Sequence, residues 1–260
     1  MNTFNWGLPL AASTYADRID FGIRIIHWAM LAIFVLWGIF FTYLLMRYRA
    51  RPGVPAERED DGAHSPLKSL APDIAVTVFE LALIIFYAVP AWTSIKINFP
   101  AEEKAHRVDI IAEQFAWNAH YPGKDGKFGR RDPKLVHFTN PIGLDREDPA
   151  AADDLVAANE LHLPIGTPTL IRLSSKDVIH SFFVPEFRIK QDAVPGMVQK
   201  VWVEPTVPGL YPLSCSQLCG FAHANMQANV YVHEEADYTK WFASETKNLK
   251  APAAKADESW

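Results

Sequence analysis

The chain has 260 residues, of which 49% are hydrophobic and 12% aromatic, and a formal net charge of −5. That length and apolar content suffice for one large or two modest domains with a packed core. The mild acidity and the lack of a basic run argue against a nucleic-acid partner.

Two long apolar stretches lie in the first third of the chain. Residues 25–46 contain no Asp, Glu, Lys or Arg, and residues 74–95 contain a single acid, Glu80. Each stretch matches the roughly 20 helical residues needed to cross a bilayer core of about 30 Å. The first is too long for the apolar core of a signal peptide, and no small-residue cleavage site follows it. The pattern predicts a transmembrane hairpin over residues 23–98.

The stretch between the two spans, residues 47–73, is predicted to be a cytoplasmic loop. Lys and Arg accumulate in such loops, and only Arg18 and Arg24 precede the first span. Pro, Gly and clustered charges in residues 51–65 indicate that the loop is solvated and flexible. The tail formed by residues 1–22 and the C-terminal part of the chain are therefore expected outside the cytoplasm. The basic residues of the loop are Arg47, Arg49, Arg51, Arg58 and Lys68.

From about Phe99 the pattern changes to short apolar runs separated by Pro, Gly and Asp. The period-two alternation typical of a half-buried strand is clearest at Ala228, Val230 and Val232. Spacings near ten residues, with turn residues between them, predict a β-sandwich over residues 99–244. The predicted strands cover residues 107–117, 134–139, 160–165, 168–175, 180–187, 197–205, 209–214 and 226–234.

The remaining parts of this domain have their own patterns. His162 lies between two leucines in a predicted strand and is expected to point into solvent. Residues 145–160 hold six acids against one arginine, which fits either a solvated loop or a docking patch for a basic partner. Residues 235–244 are expected to form a short closing helix. The tail at residues 245–260, rich in Ala, Lys, Asp and Glu, is expected to be flexible.

Both cysteines of the chain lie in the segment CSQLCGFAHANM, residues 215–226. Cys215 and Cys219 are followed by His223 and Met226, with the spacing Cys-x3-Cys-x3-His-x2-Met. A disulfide is the simplest alternative outside the cytoplasm. It would close a loop of only a few residues, which stabilises little, and would leave the imidazole and the thioether unexplained. A structural zinc site uses Cys and His and has no use for a thioether.

Thiolate, thioether and imidazole together indicate copper. A mononuclear blue-copper site needs one Cys, two His and a weak axial Met, so one cysteine is in excess. Two thiolates can instead bridge two copper ions, and each ion then needs a terminal imidazole and a weaker ligand. His180 is favoured as the second imidazole, with His137 and His233 as weaker candidates. A backbone carbonyl such as that of Gln217 is the remaining weak ligand.

Three stretches resemble subunit II of the haem–copper cytochrome c oxidases. They are SSKDVIHSFFVPEFRIKQDAVPG (174–196), PGLYPLSCSQLCGFAHANM (208–226) and, more loosely, EQFAWNAHYPG (113–123). With the two spans, the resemblance covers residues 20–244. It implies a membrane-anchored, all-β protein whose cupredoxin-like outer domain holds a dinuclear copper centre, CuA. By position, the ligands that the resemblance implies are His180, Cys215, the Gln217 carbonyl, Cys219, His223 and Met226.

Two positions depart from the family pattern. Where this chain has Gln217, much of the family has a glutamate whose carboxylate also holds Mg²⁺. A neutral amide is a poorer ligand for a hard cation, which argues against magnesium here. The family's QWYW run begins with the electron-entry tryptophan after Gln, whereas this chain reads QFAW. The resemblance therefore places electron entry at Phe115 or Trp117, with buried packing as the alternative for Trp117.

Two acids also resemble residues of the family. Glu80 resembles a glutamate of the second span near the entrance of a proton channel in subunit I. A salt-bridge partner at the headgroup level is the alternative, because an acid near the end of a span can reach water. Asp192 lies in a stretch that resembles one near the interface with subunit I, where it would form hydrogen bonds.

The resemblance implies an electron-input subunit of a respiratory terminal oxidase in the inner membrane of a bacterium, with its outer domain on the periplasmic side. A c-type cytochrome would donate electrons, which would pass to a haem in subunit I for oxygen reduction coupled to proton translocation. The sequence shows no nucleophile, acid–base pair or Cys-x2-Cys-His haem motif, so we expect no oxygen chemistry in this subunit alone. Three alternatives stay open: a subunit of a nitric-oxide-reducing relative, a copper-free structural subunit of a quinol oxidase, and a free-standing copper carrier. The intact ligands argue against the second alternative and the two spans against the third.

Overall fold

A computed structural model describes residues 7–53 and 66–250. The chain divides into two compact units. One unit is Arg18–Ile97, and the other joins the N-terminal segment up to Asp17 with the chain from Asn98 onward. Most of the predicted flexible loop at 51–65 and the tail beyond residue 250 lie outside the described residues.

The first unit is helical. Helix α1 (Ala16–Arg47) is followed by α2 (Pro66–Leu83), a π-helical turn (Ile84–Ala88) and α3 (Val89–Lys96). Pro90 accounts for the wide turn, because proline lacks the N–H of a helical hydrogen bond and its ring crowds the carbonyl four residues earlier. The segments Ala16–Arg47 and Leu70–Lys96 are both long and apolar enough to cross a membrane. The two predicted membrane-length helices are confirmed, although α1 begins nine residues before the predicted first span.

The second unit is a β-sandwich of two five-stranded sheets, which confirms the predicted fold class. One sheet has the order β3-β2-β1-β5-β8 and the other β4-β10-β9-β6-β7. The strands are β1 (His106–Glu113), β2 (Ala116–Tyr121), β3 (Leu155–Ala158), β4 (Glu160–Pro164), β5 (Thr169–Ser175), β6 (His180–Val184), β7 (Ile189–Ala193), β8 (Gln199–Val203), β9 (Gly209–Cys215) and β10 (Gln227–His233).

The core lies between the two sheets and follows the alternation in the sequence. On β10, Ala228, Val230 and Val232 are buried, whereas Gln227 and Asn229 are exposed. Burying such side chains on facing sheets supplies the main stabilising term of a sandwich. The largest fully buried side chains of this core include Trp117, Tyr121, Phe182, Phe187, Leu163 and Leu213.

The N-terminal segment packs against the sandwich. The Ala12 amide donates to the Glu186 carbonyl at 2.9 Å, and the Ser13 hydroxyl donates to the Phe187 carbonyl at 2.9 Å. Ala12 and Tyr15 are buried. The segment that precedes α1 is therefore part of the β-sandwich unit.

Two strand predictions need correction. The predicted strand at 134–139 is wrong: a 3₁₀ turn (Pro133–Leu135) and a loop occupy it. Pro133 starts that turn, and the Asp132 carboxylate caps it by accepting from the Lys134 amide at 2.9 Å. The strand predicted at 107–117 covers β1 and runs across the turn into β2, so β2 was not recognised as a separate strand, and β3 and β7 were missed as well.

The acidic segment at 145–160 is folded rather than simply solvated. Asp154 is fully buried and accepts hydrogen bonds from the amides of Gly123 and Gly129 at 2.9 and 2.8 Å. The Asp148 carboxylate accepts from the Arg130 amide at 2.8 Å. Asp148 and Asp154 therefore hold the loop at residues 123–130, because their carboxylates accept hydrogen bonds from its backbone amides.

The C-terminal helix is longer than predicted. Helix α4 spans Glu235–Lys250, so residues 245–250, expected in the flexible tail, are helical. Trp241 of this helix stacks on His162 with ring centroids 3.9 Å apart. His162 is consequently only 6% exposed, and the expectation that it points into solvent is wrong. The alternation of β4 alone could not reveal a helix that covers its outer face.

Candidate metal centre

The predicted ligands converge at one end of the second sheet, at the ends of its inner strands. His180 is the first residue of β6, Cys215 is the last residue of β9, and Met226 immediately precedes β10. Strand β9 pairs antiparallel with both neighbours, so the end of β9 lies beside the start of each. The loop 216–225 then carries the other candidates back over this end of the sheet.

Four side chains form the inner part of the cluster. The Sγ atoms of Cys215 and Cys219 are 3.8 Å apart. His180 Nδ1 lies 3.9 Å from Cys215 Sγ and 3.1 Å from Met226 Sδ. Met226 Sδ lies 3.7 Å from Cys219 Sγ. Two thiols, an imidazole and a thioether therefore share one small volume.

Two further groups complete the predicted set. His223 Nδ1 lies 3.5 Å from Cys219 Sγ. The Gln217 carbonyl oxygen lies 3.1 Å from Cys215 Sγ, whereas the Gln217 side chain is exposed. The structure thus brings each predicted ligand to the cluster and offers the backbone of Gln217 rather than its amide side chain.

The cluster is buried. His180 and Met226 have no exposed surface, and Cys215 and Cys219 are 8% and 4% exposed. Within residues 7–53 and 66–250, His180, Cys215 and Cys219 are the only three His, Cys or acidic residues with ligand atoms mutually within 4.8 Å. The two cysteines are free, and a sulfur separation of 3.8 Å is far from the roughly 2.05 Å of a disulfide. The disulfide alternative is not formed in this structure.

The Cys219 thiol needs a cation to ionise here. Burial, with a smaller contribution from Cys215, raises the pKa of the Cys219 thiol to about 11. Without a metal this thiol is protonated at neutral pH. Because a cysteine binds a metal strongly as the thiolate and not as the thiol, metal binding at this site must release a proton from Cys219.

Asp177 sets the orientation of His180. Its Oδ1 lies 2.9 Å from His180 Nε2. Burial alone would raise the pKa of Asp177, but hydrogen bonds from His180 and from the amides of Gln114 and Val178 outweigh burial and lower the pKa. A carboxylate accepts only, so the imidazole proton resides on Nε2. The lone pair of Nδ1 is left facing the sulfurs, as metal ligation requires.

The two weaker histidine candidates do not join the cluster. His137 is exposed on the loop after the 3₁₀ turn Pro133–Leu135, beside the Thr139 hydroxyl. His233 ends β10, at the opposite end of the strand from Met226, and lies 2.8 Å from a nitrogen of His162.

Phe115 and Trp117 differ in burial and in the rings that they contact. Phe115 is half-buried and packs edge-on against Phe221, with ring centroids 4.9 Å apart. Trp117 is only 1% exposed, and its ring lies 6.1 Å from that of His180 and 5.9 Å from that of Phe182. Trp117 is thus a core residue behind His180, whereas Phe115 lies beneath a surface aromatic ring.

Glu80 and Asp192 lie away from these ligands. Glu80 is exposed on α2 and lines a groove of about 360 Å³ between α1 and the second apolar helix. Asp192 is exposed on β7 opposite Ser181, which neighbours His180. Neither position tests the roles predicted from the sequence.

The structure also shows surface residues that the sequence analysis missed. Leu218 and Phe221, in the ligand loop, are 78% and 97% exposed. Val178 and Ile179, next to His180, are also exposed. Large apolar side chains in a loop between metal ligands were the available signal. All four lie in the ligand loop or directly before His180, and we call them the loop rim: Val178, Ile179, Leu218 and Phe221.

A pair of membrane-length helices joined to a β-sandwich with buried sulfur and imidazole ligands at its edge defines a membrane-anchored, cupredoxin-like protein with a soft-metal site. Residues 107–232 match the family model for the periplasmic domain of cytochrome c oxidase subunit II. The chain is 37% identical over 238 residues to an alternative cytochrome c oxidase subunit 2 of Bradyrhizobium diazoefficiens, covering 91% of this chain and 82% of that relative. The chain belongs to the cytochrome c oxidase subunit II family.

Other known proteins are similar to most of the chain or to its β-sandwich unit. A cytochrome c oxidase subunit 2 of Synechocystis is 28% identical, with 95% of this chain and 78% of the relative covered. The crystal structure of the periplasmic domain of subunit II of a Bradyrhizobium japonicum cytochrome oxidase is 26% identical, with a TM-score of 0.43. That similarity covers 58% of this chain and 99% of the solved one.

Proposed function

We propose that this chain is the electron-input subunit of a haem–copper cytochrome c oxidase. It accepts electrons from a c-type cytochrome at a dinuclear copper centre and passes them to a haem in subunit I, where oxygen is reduced with coupled proton translocation. The observation that carries the proposal is the convergence of two buried thiols, two imidazoles and a thioether at one edge of the sandwich. Membership of the subunit II family supports the same function.

The residues present fit a copper pair. Soft thiolate and thioether ligands with imidazole favour copper over a hard cation, and the second thiol exceeds what a single blue-copper ion uses. When bound, a pair of copper ions would supply reversible one-electron storage. The chain's own part is to exclude water and to hold the ligands together, since the cluster is buried. The proposed ligands are His180, Cys215, the Gln217 carbonyl, Cys219, His223 and Met226.

The loop rim is the proposed contact surface for the protein partners. Exposed apolar patches that surround a functional site mark protein–protein contacts. Phe221 is two residues from Cys219 and packs on Phe115, so this aromatic pair reaches from the surface to the ligand loop. We place electron entry at Phe115. Trp117 is the buried residue that packs against His180.

The proposed setting is the inner membrane of a bacterium, with the sandwich on the periplasmic side. Two membrane-length helices, a family model described as periplasmic, and the N-terminal segment packed on the sandwich support it. An acid on a membrane-length helix is expensive unless protein or water covers it. Glu80 is accordingly proposed to face subunit I near a proton entrance, and Asp192 to contact that subunit.

The alternatives account for less of the structure. A copper-free quinol-oxidase subunit would have no need of six ligand groups that converge. A nitric-oxide-reducing relative would keep the same site, but the relatives described above are named as cytochrome c oxidase subunits. The proposal includes no magnesium, because the neutral Gln217 side chain is a poor ligand for a hard cation.

The test is oxidation of reduced mitochondrial-type cytochrome c by the purified complex that contains this chain and its haem-bearing partner. His180→Ala removes one ligand from the cluster, and we expect cytochrome c oxidation to fall by at least about 100-fold, since loss of one of few soft ligands disrupts the site. His137→Ala is the matched control, because His137 is exposed and outside the cluster, and it should keep full activity. Equal activity of both variants would exclude electron input through this site.

A further inference from the structure

We infer that Gln114 is a positioning residue that ties the two ligand-bearing segments of the metal centre to the first sheet. This inference rests on the proposed function, because it concerns the same site. Gln114 directly follows β1, so its backbone is fixed by a strand that pairs on both sides, with β2 and with β5. None of the six proposed ligands lies on that sheet.

The first tie runs through Asp177. The Gln114 amide N–H donates to Asp177 Oδ2 at 2.7 Å. The other carboxylate oxygen, Oδ1, accepts from the Val178 amide at 2.7 Å and lies 2.9 Å from His180 Nε2. The carboxylate that orients the His180 ring is therefore itself held by the end of β1.

The second tie runs through the side chain of Gln114. Its Nε2 donates to the Cys219 carbonyl at 2.6 Å. Cys219 contributes a thiol to the cluster and lies four residues from Cys215 and from His223. This single hydrogen bond fixes the middle of the ligand loop relative to β1, and Gln114 thus links a strand end to both His180 and Cys219.

The local sequence leaves room for this contact. Gly220 has φ +139°, which a side chain rarely adopts. A Cβ at that position would lie 2.8 Å from Gln114 Nε2 and 3.0 Å from the Phe115 ring. A glycine after Cys219 is therefore needed for the amide to approach the carbonyl. The close approach is a second feature of the chain that serves the Gln114 contact.

Outer hydrogen bonds of this kind act on the metal through its ligands. They fix ring orientation and loop geometry, and their loss typically costs about 10- to 100-fold in metal affinity. Gln114 is solvent-exposed as a residue, so replacing it removes its side-chain hydrogen bond to the Cys219 carbonyl without opening a cavity in the core. The backbone N–H bond to Asp177 survives such a replacement, which isolates the tie to Cys219.

The test compares the full chain in detergent with the variant Gln114→Met, which keeps the length of the side chain but has no N–H donor. Gln199→Met is the matched control, because the Gln199 amide lies 4.0 Å from the sulfur of Met197 and contacts none of the proposed ligands. We expect Gln114→Met to bind copper roughly 10- to 100-fold more weakly, with an altered electron paramagnetic resonance spectrum and reduction potential. The control should match the wild type in each.

The outcomes separate this inference from the proposed function. A wild-type chain without a shared-electron copper spectrum contradicts the proposed function itself. A normal wild-type spectrum with an unchanged affinity, spectrum and potential in Gln114→Met overturns the inference alone. Thermal unfolding of the metal-free variants shows whether the fold is intact. Should Gln114→Met not fold, Gln114→Glu, which also lacks the donor, decides by the same three measurements.

Discussion

The two ends of strand β10 lie at two different sites that contain a buried histidine. The metal-ligand cluster with His180 lies at its start, and a stacked cluster with His162 and His233 lies at its end. Beside its start, His180 has Nε2 bound to Asp177, and its Nδ1 faces the sulfurs of Cys215 and Met226. At its end, His162 has Nδ1 2.8 Å from His233 Nε2, and its own Nε2 lies 3.3 Å from Glu160. His162 has no nitrogen left for a metal.

The surroundings of the two rings differ in the same sense. His162 is stacked between Trp241 at 3.9 Å and Tyr231 at 4.6 Å, with interplanar angles of 6° and 14°. His180 meets Trp117 only edge-on. A buried histidine is therefore a metal ligand when one nitrogen is oriented and the other faces soft donors. It is a packing element when both nitrogens and both faces are occupied.

The strongest test of this comparison exchanges the two histidines for alanine in turn. We expect His180→Ala to lose the dinuclear copper signal while the fold survives, because a ligand is gone. We expect His162→Ala to bind copper normally but to lower the free energy of unfolding by about 2 kcal/mol, since it removes a stacked, hydrogen-bonded buried ring. Copper analysis and thermal unfolding give both answers. A loss of copper in His162→Ala would break the distinction.

The stacking partner of His162 should carry much of the stability of that end. Trp241→Ala removes a ring that packs on His162, Tyr121 and Tyr238, and we expect a loss of about 2 to 3 kcal/mol with release of α4. Phe221→Ala is the control, because that ring is 97% exposed and should change stability by less than about 0.5 kcal/mol. Denaturant unfolding measures both, and equal effects would show that the stack stabilises little.

The stacked cluster should also make stability depend on pH. Burial lowers the pKa of His162 from 6.5 to about 4, and the neighbouring His233 acts in the same direction. Between these values the unfolded chain binds the proton and the folded chain does not. The free energy of unfolding is therefore not reduced by His162 above pH 6.5. As the pH falls towards 4, protonation of His162 in the unfolded chain lowers the free energy of unfolding by on the order of 2 kcal/mol.

Unfolding of the metal-free chain at several pH values measures this slope. His162→Gln should flatten the profile in that window, whereas His137→Gln, at an exposed position, should leave it unchanged. An unaltered slope in His162→Gln would assign the pH dependence to other groups.

The smallest effect is expected from the thioether at the metal end. A methionine sulfur is a weak ligand that tunes a copper site more than it holds the metal. Met226→Leu keeps the buried volume, so we expect copper to be retained with a shifted reduction potential. Met197→Leu, at a side chain that is 53% exposed, should shift nothing. A complete loss of copper in Met226→Leu would make the thioether an essential ligand.

The metal end was readable from the sequence because its chemistry is concentrated there. Cys215, Cys219, His223 and Met226 lie within twelve residues, and few sites use that set. The strand that carries His180 showed its own apolar pattern. The two membrane-length helices were predictable because a bilayer requires long uncharged segments.

The histidine end was not readable, because it is built from long-range contacts. His162 and Trp241 are far apart in the chain, and only the docking of α4 buries the imidazole. The strand predicted at 134–139 failed because Pro133 and the Asp132 cap override an apolar run. The tie from Gln114 to Cys219 likewise depends on a carbonyl, which no residue type reports.

The most direct test of the whole account is electron paramagnetic resonance on the copper-loaded chain in detergent, together with its copper content. The account predicts two copper ions per chain and a hyperfine pattern from one electron shared between two copper nuclei, lost in Cys215→Ser and Cys219→Ser. A single-copper pattern, or no copper uptake by the reduced thiols, would contradict a dinuclear centre and leave the two cysteines to a mononuclear site or a disulfide.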